Sequence, residues 1–590
     1  MRKSMFLFGA LIAAGLSFTA CSSDNDVAEN NGPRLDGSND AYITLNLNTP
    51  TENGSTRAGE TYTQDDGSSE EYAVNNGIIV FFENSTDNQA TATFVSAYAL
   101  TNLTQASKPS TGEVTTQWTS TLNITEAGFT QTNKYALVIL NHQDYFTIAG
   151  KVLSIGSTAL TSSSTFADVM REQIPSPKMN NGTVINTNCQ TTVGSKGILM
   201  TNAPLSLTTG STAPTGVQYM TKITSDNIQS TEAAAQTHPV KIYVERATAK
   251  IQVVKGSVST VTNGTYSDGG AIAINSIQWL PDNTASTFNC VREVTQADLN
   301  IVKTSGSTYR YTGAGAVYDS GGSLYRTTWA VDQTGYTSKL PLTGTGALIN
   351  VGNTIPATML ASDAIAYVPE NTMDYNMMYQ QNTTRVIVKA IMGDGSTDYY
   401  SSSLFGSNVI YTKTNMEAKL VTYASGLTEA AGMVGTLSCS LTNGTGVATA
   451  TFSSTDGSDA SKITALNSKL ASSTINFFDD GACYYKLQVK HYHPGADASD
   501  EVKEPVLTNG PEYNNVYAET STGTQKADYL GLYGVVRNTW YVITITGIKN
   551  VGTPTVPEVP GDTPDDEVNS YISAKINVMR WAKRTYNADL

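Results

Sequence analysis

The sequence predicts a mainly β protein: two tandem antiparallel β-sandwich-like domains, a few short helices, and a further strand set apart at the C-terminus. Three observations carry this. Apolar residues recur with period two in many short segments, the pattern of half-buried strands. Clusters of Gly, Asn, Ser and Thr separate those segments, as turns require. Charged residues are only 15% of the chain, against roughly 25% in an average soluble protein, and Tyr (31) outnumbers Phe (14). Strands whose wet face carries Thr and Tyr have this composition.

Residues 1–20 precede any fold and read as a lipoprotein signal peptide. Arg2 and Lys3 form a basic n-region, and Met5 to Ala20 is a nearly unbroken apolar run ending in small residues. The run is too short for a relaxed membrane span, which needs about 20 apolar residues. Phe18-Thr19-Ala20-Cys21 has the form of a bacterial lipobox, in which the cysteine thiol takes a diacylglycerol. A plain secretory signal with an incidental cysteine is the other reading. The acidic stretch after Cys21 resembles the tether of surface lipoproteins in Bacteroides-like bacteria. Residues 21–57 are then a lipidated propeptide, and inside it 41–48 form a strand. Ala41, Ile43, Leu45 and Leu47 face one way, and Tyr42, Thr44, Asn46 and Asn48 the other.

Further strands are expected at 78–82, 93–100, 135–140, 240–254, 271–280, 385–392 and 484–492. Ser164 and Ser458 are candidate caps for short helices at 166–173 and 463–470. Between 208 and 236 the chain is polar and Thr-rich, and a long strand follows His238-Pro239. This places an N-terminal domain at 58–238 and a C-terminal domain at 239–553. Residues 554–570 follow with prolines at 554, 557, 560 and 564 and acids between, an extended and self-repelling linker. The last segment, 571–590, opens with a strand whose Ile572, Ala574, Ile576 and Val578 alternate with polar residues.

The two terminal strands match in length and period. The first is divided from the body by Arg57-Ala58, a lone basic residue in a polar stretch suited to proteolysis. Cutting there would let the strand carrying Ile43, Leu45 and Leu47 leave, and its vacated groove would take the last strand of another molecule by β-augmentation. Such contacts are heterologous and open, so they build filaments. On this reading the last strand has no partner in its own chain; the alternative is that it folds back onto its own sheet.

Several motifs, in order, carry a resemblance. They are the lipobox at Cys21, Thr56-Arg57-Ala58-Gly59, Val244 to Ile251 (VERATAKI), Tyr367 to Thr372 (YVPENT), Thr384 to Lys389 (TRVIVK) and Val535 to Tyr541 (VVRNTWY) with its continuation to Pro554. In this order the chain resembles the type V fimbrillins of Bacteroidales, and its Pro/Asp linker and final strand are similar to those of the short-fimbria shaft subunit. The resemblance implies a precursor carried to the outer membrane as a lipoprotein and cut after Arg57 by an arginine-specific protease. Mature chains starting at Ala58 would then polymerise head-to-tail into extracellular fimbriae by donation of the C-terminal strand. Implied partners are identical subunits, accessory anchor and tip subunits, and host or bacterial surface receptors. Within the family, tip subunits lack a free donor strand and anchors lack the cleavage site, so a shaft role is expected.

Other classes are disfavoured. A net charge of −15 opposes nucleic acid as a partner. No GxSxG, phosphate-loop or HExxH pattern is present, so no catalytic residues, metal or cofactor are expected, and no enzyme. His491 and His493 share a strand face without an evident third ligand. Asp456 and Asp459 lack EF-hand spacing and read as acids of solvated loops. Cys189, Cys290, Cys439 and Cys483 are enough for two disulfides or stand as buried thiols; both remain open. The competing functions are a monomeric, lipid-anchored glycan-binding lipoprotein and a fimbrial tip adhesin. Replacing the lipobox cysteine, Cys21→Ala, is expected to abolish metabolic palmitate labelling and leave the precursor unprocessed; persistent labelling of that variant would place the lipid elsewhere.

Overall fold

The computed structural model describes residues 40–50, 62–63, 67–105, 114–180, 182–185, 189–207, 216–295, 312–317, 324–327, 329–331, 348–349, 351, 358–373, 377, 379–491, 531, 533–558, 572–580 and 583–584. The period-two segments form strands, gathered into two large sheet assemblies with separate cores. The mainly β reading holds.

The N-terminal sheet is framed by β1 (Tyr42–Pro50), β2 (Gly77–Asn84), β3 (Thr93–Ala99), β4 (Val114–Asn123), β5 (Asn133–Leu140), β6 (Met200–Asn202) and β7 (Val240–Arg246). Their order across the sheet is β3-β2-β5-β6-β7-β1-β4. The apolar run Ile78 to Phe82 explains the centre, because a strand covered on both faces loses the alternation of a half-wet one. Ile78, Val80 and Phe82 join one core with Leu137, Ile139 and Phe166. Ile79 and Phe81 join a second core with Val138, Ile242 and the apolar residues of β1. Since β1 and β2 lie four strands apart yet share that core, the sheet curls over it.

The C-terminal sandwich has two layers. β8 (Thr248–Lys255), β10 (Ile365–Pro369), β13 (Thr539–Ile548) and β14 (Ile572–Arg580) make one, in the order β10-β8-β13-β14. β9 (Ala271–Asp282), β11 (Arg385–Met392) and β12 (Ala482–Gln488) make the other. Ile251, Val253, Ile543 and Ile545 from the first layer meet Trp279, Val386, Val388 and Leu487 from the second. Most pairings are antiparallel, but β1 runs parallel to β7 and β8 parallel to β13.

The strand expected at 240–254 is two strands. β7 belongs to the first sheet and β8 to the second, and the chain changes sheet at Ala247. The stretch expected to open the second unit therefore completes the first. Beyond the second layer, helices Lys413–Ser425 and Ala460–Leu470 pack on the hairpin Leu437–Asn443/Val447–Ser454. The first of these helices gave no sequence signal, because it buries only the single line Met416, Leu420 and Ala424. The second begins at Asp459, which is fully buried and not a solvated acid. Its carboxylate accepts the Ser454 hydroxyl (2.7 Å) and the Gly435 N–H (2.8 Å). Those hydrogen bonds hold its pKa down to about 2.

The sheets meet at a seam of buried charge. Glu71, on the short helix Ser69–Tyr72, receives Lys250 Nζ at 2.8 Å and the Tyr367 hydroxyl at 2.5 Å. Its backbone carbonyl accepts Arg246 Nε at 2.8 Å. The Lys250 ammonium also lies 3.7 Å from the centre of the Trp540 ring, a cation–π contact. Burial, and then the Glu71 carboxylate, push the Tyr367 phenol well up. Nearby, Arg537 pairs with Glu370 (2.5 Å) and donates to the Asn289 carbonyl (2.9 Å). Arg292 pairs with Glu245 (2.9 Å), and Arg385 with Asp282 (2.5 Å). Removing one member of such a pair strands the other, at about 3–5 kcal/mol. Lys250→Met is expected to lose a stability of that order in urea unfolding, and Glu71→Gln/Lys250→Met to recover most of it; equal loss in both variants would deny the pair its role.

Candidate functional site: the seats of the two terminal strands

β1 occupies a slot one strand wide. On one side it pairs with β7, with Leu45 opposite Val240 and Leu47 opposite Ile242. On the other it pairs with β4 along its whole length, from Tyr42 opposite Asn123 to Pro50 opposite Val114. Ala41, Ile43, Leu45 and Leu47 are 0, 0, 0 and 1% exposed. The polar face is drawn in as well: Thr44 and Asn48 are buried. Thr44 shares a hydroxyl contact with Thr121 (2.9 Å), and Gln117 donates to Asn48 (2.8 Å). The Ala41 N–H reaches Thr125 Oγ1 at 2.7 Å, and Tyr42 exchanges backbone hydrogen bonds with Gln229. β1 is thus a central strand, more deeply buried than period-two alternation predicts. Without it, β4 and β7 would face each other across an unpaired gap lined by Phe81, Val138 and Ile242.

The C-terminal strand differs from expectation. β14 lies antiparallel on the edge of β13, with Ile572, Ala574, Ile576 and Val578 opposite Ile548, Ile545, Ile543 and Tyr541. It has a partner in its own chain, and the fold-back alternative describes the structure. The physical reason is the free edge: β13 is paired by β8 on one side, and an unpaired ladder on the other is a template for any strand within reach. The start of the linker is also docked. Thr553 exchanges backbone hydrogen bonds with Tyr484, Val556 is buried against Ile387 and Ala482, and Lys486 Nζ donates to the Glu558 carbonyl at 2.9 Å. Burial, followed by the charge of Arg385, lowers the Lys486 pKa to about 8.

Cys21, Arg57, Ala58 and His493 lie outside the described residues. His491 is buried, with Nδ1 2.7 Å from the Tyr541 hydroxyl and its ring tilted against Trp329, centroids 5.4 Å apart. Its ring is engaged in packing. Among the described residues Asp398, Asp479 and Asp480 alone gather metal-capable side chains, at the surface. Cys189, Cys290, Cys439 and Cys483 are free thiols. Burial raises Cys189 and Cys290 to about 12, and Cys439 and Cys483 to about 11, well away from thiolate reactivity. The seam is what sequence reading missed. Glu245, Arg246, Lys250, Tyr367, Glu370, Arg385 and Arg537 all fall within the motifs quoted above, and the one signal was charge inside otherwise apolar strands.

Among solved structures, the chain is similar to a putative cell adhesion protein from Parabacteroides distasonis, with 11% identity, 94% of this chain and 100% of that one covered, and a TM-score of 0.33. It is similar to a fimbrilin from Porphyromonas gingivalis, with 12% identity, 94% and 100% covered, and a TM-score of 0.33. It is also similar to the tip fimbrial protein Mfa3 of Porphyromonas gingivalis, with 10% identity, 91% and 99% covered, and a TM-score of 0.31. At these scores the likeness is distant. A search of curated proteins returned no match. The family described as "Major fimbrial subunit protein type IV, Fimbrillin, C-terminal" matches residues 506–587, the span that holds β13 and β14. That match, to the C-terminal part of a fimbrial subunit family, is confined to this span of the chain.

Proposed function

We propose that this protein is a shaft subunit of a cell-surface fimbria, exported as a lipoprotein on Cys21, cut after Arg57 and polymerised by strand exchange. The observation that carries the reading is the seat of β1. A strand that is central, buried on its apolar face and paired on both edges leaves behind a slot that only another strand of the same period can fill. The strand carrying Ile572, Ala574, Ile576 and Val578 has that period.

The energetics favour exchange only after cleavage. Burial of Ile43, Leu45 and Leu47 contributes about 1.5–3 kcal/mol per side chain, and each ladder hydrogen bond about 1 kcal/mol net. Ordering an incoming strand costs about 1–2 kcal/mol per residue. While β1 is tethered, its effective concentration is on the order of millimolar, and an equal strand from another molecule cannot displace it. A cut after Arg57 removes that advantage. The incoming strand then gains from remaining attached to its own subunit, and the filament grows head-to-tail.

The self-pairing of β14 favours a second reading, a monomeric surface-anchored lipoprotein in which that strand never leaves. The two readings part on the polymer. Filament subunits are expected to begin at Ala58 on N-terminal sequencing; polymerised chains that retain residues 41–48 would contradict exchange, since β1 would still block the slot. Deleting residues 571–590 is expected to give a folded, exported monomer whose ladders in mild unboiled SDS disappear, with only modest loss of thermal stability because the two-layer core does not require an edge strand. Ladders that persist would put the donor elsewhere, and a chain that unfolds would assign β14 to its own sheet.

A further inference from the structure

Two short strands join the chain near the expected cut to the segment that follows β14. Tyr62–Thr63 pairs antiparallel with Lys583–Arg584, with Tyr62 opposite Arg584 and Thr63 opposite Lys583. Lys583 stands just past the end of β14 at Arg580. Tyr62 stands just past Arg57, on the side that the mature chain would keep. The ladder therefore ties the new N-terminal segment to the far end of the strand that the fimbrial reading needs to be released.

The position of this ladder makes it sensitive to cleavage. Upstream, the chain is held by β1, which ends at Pro50 between two partner strands. Downstream, it is held at Glu71, whose carboxylate and carbonyl are both gripped by the seam. Tyr62–Thr63 thus sits in a connection anchored at both ends, and its search for Lys583–Arg584 is confined. Cutting after Arg57 turns the connection into a free end fixed only at Glu71, so the same ladder must form from a much wider ensemble. A pairing of two residues has little strength of its own. What holds it is the closeness imposed by its covalent neighbours, and that is what the cut reduces.

We propose that the Tyr62–Thr63/Lys583–Arg584 ladder is a latch that keeps the C-terminal strand on its own subunit until the chain is cut after Arg57. One proteolytic event then opens the β4–β7 slot and unpins the strand destined for the slot of a neighbour. The uncut precursor is neither acceptor nor donor, which keeps it monomeric during export. This inference rests on the strand-exchange reading above.

The donor half of the claim is separable from the acceptor half. An Arg57→Ala precursor, whose slot stays filled, is mixed with cut wild-type subunits. With the latch intact it is expected to stay out of the ladders. The same precursor carrying Tyr62→Pro and Thr63→Pro, which remove the backbone donors of one side of the short ladder, is expected to enter as a terminal subunit and shorten the polymers. In a Cys439→Ser background, Thr63→Cys/Lys583→Cys stand at directly opposed positions and are within reach of a disulfide after small adjustment. Cut and oxidised, this chain is expected to remain monomeric, and dithiothreitol to restore ladders. The latch is overturned if the double-proline precursor stays out like its parent, if the oxidised pair polymerises at the wild-type rate, or if no cross-link forms. If cut wild-type subunits fail to polymerise at all, the strand-exchange reading falls, and the latch falls with it.

Discussion

Lys250 and Glu71 sit 2.8 Å apart at 3% and 1% exposure where the two sheets meet, and the relation between the halves of the molecule depends on that pairing and its neighbours. Taking each charge out of water costs several kcal/mol, and the attraction between them offsets this only when geometry and hydrogen bonding are both good. Here the Glu71 carboxylate also accepts from the Tyr367 hydroxyl and the Ser68 N–H, and the Lys250 ammonium lies over the ring of Trp540. An arrangement of this kind tolerates little displacement. The seam therefore fixes geometry more than it adds stability, and what it fixes is the passage from β7 to β8. One of those strands walls the slot of β1 and the other borders the strand on which β14 lies.

How much of this was legible in the sequence depends on the range of the interaction involved. β1 was legible because alternation at Ala41, Ile43, Leu45 and Leu47 is a local signal. The slot around it was not, since β7 lies nearly two hundred residues away. Strand β11 was read at its observed limits, Arg385 to Met392, because Val386, Val388 and Ala390 point into one core. The run at 240–254 was misread as one strand because nothing local marks Ala247, where the pairing partners change. Glu71 gave no signal at all. It lies in an acidic, polar stretch that reads as loop, and its partners Lys250 and Tyr367 come from distant strands. β14 was recognised as a strand but assigned no home, because the prolines before it suggested an arm held away from the body. Docking of Thr553 and Val556 on β12 and its neighbours shows how that arm instead begins along the sandwich.

The thiols bear on what holds the molecule together. Cys189, Cys290 and Cys483 are buried and unpaired, and Cys439 is half-buried on the hairpin of the outer lobe. With thiol pKa values raised by burial, they are poor nucleophiles and poor partners for exchange. Among the described residues no disulfide ties one sheet to the other. The joints of the molecule are hydrogen-bond ladders, packed apolar faces and the charged seam.

The setting of β1 between a parallel and an antiparallel neighbour has a mechanical consequence. A strand held at one edge of a sheet and pulled at its end peels, losing one ladder bond at a time. A strand clasped on both edges and pulled along its own direction must slide, and both ladders resist together until they fail together. Whatever strand fills the β4–β7 slot is loaded in this second way when tension runs along it. Its lifetime under load is then set by the barrier to that concerted slip, so under the proposed strand exchange a filament would carry the drag of flow without a covalent bond between subunits.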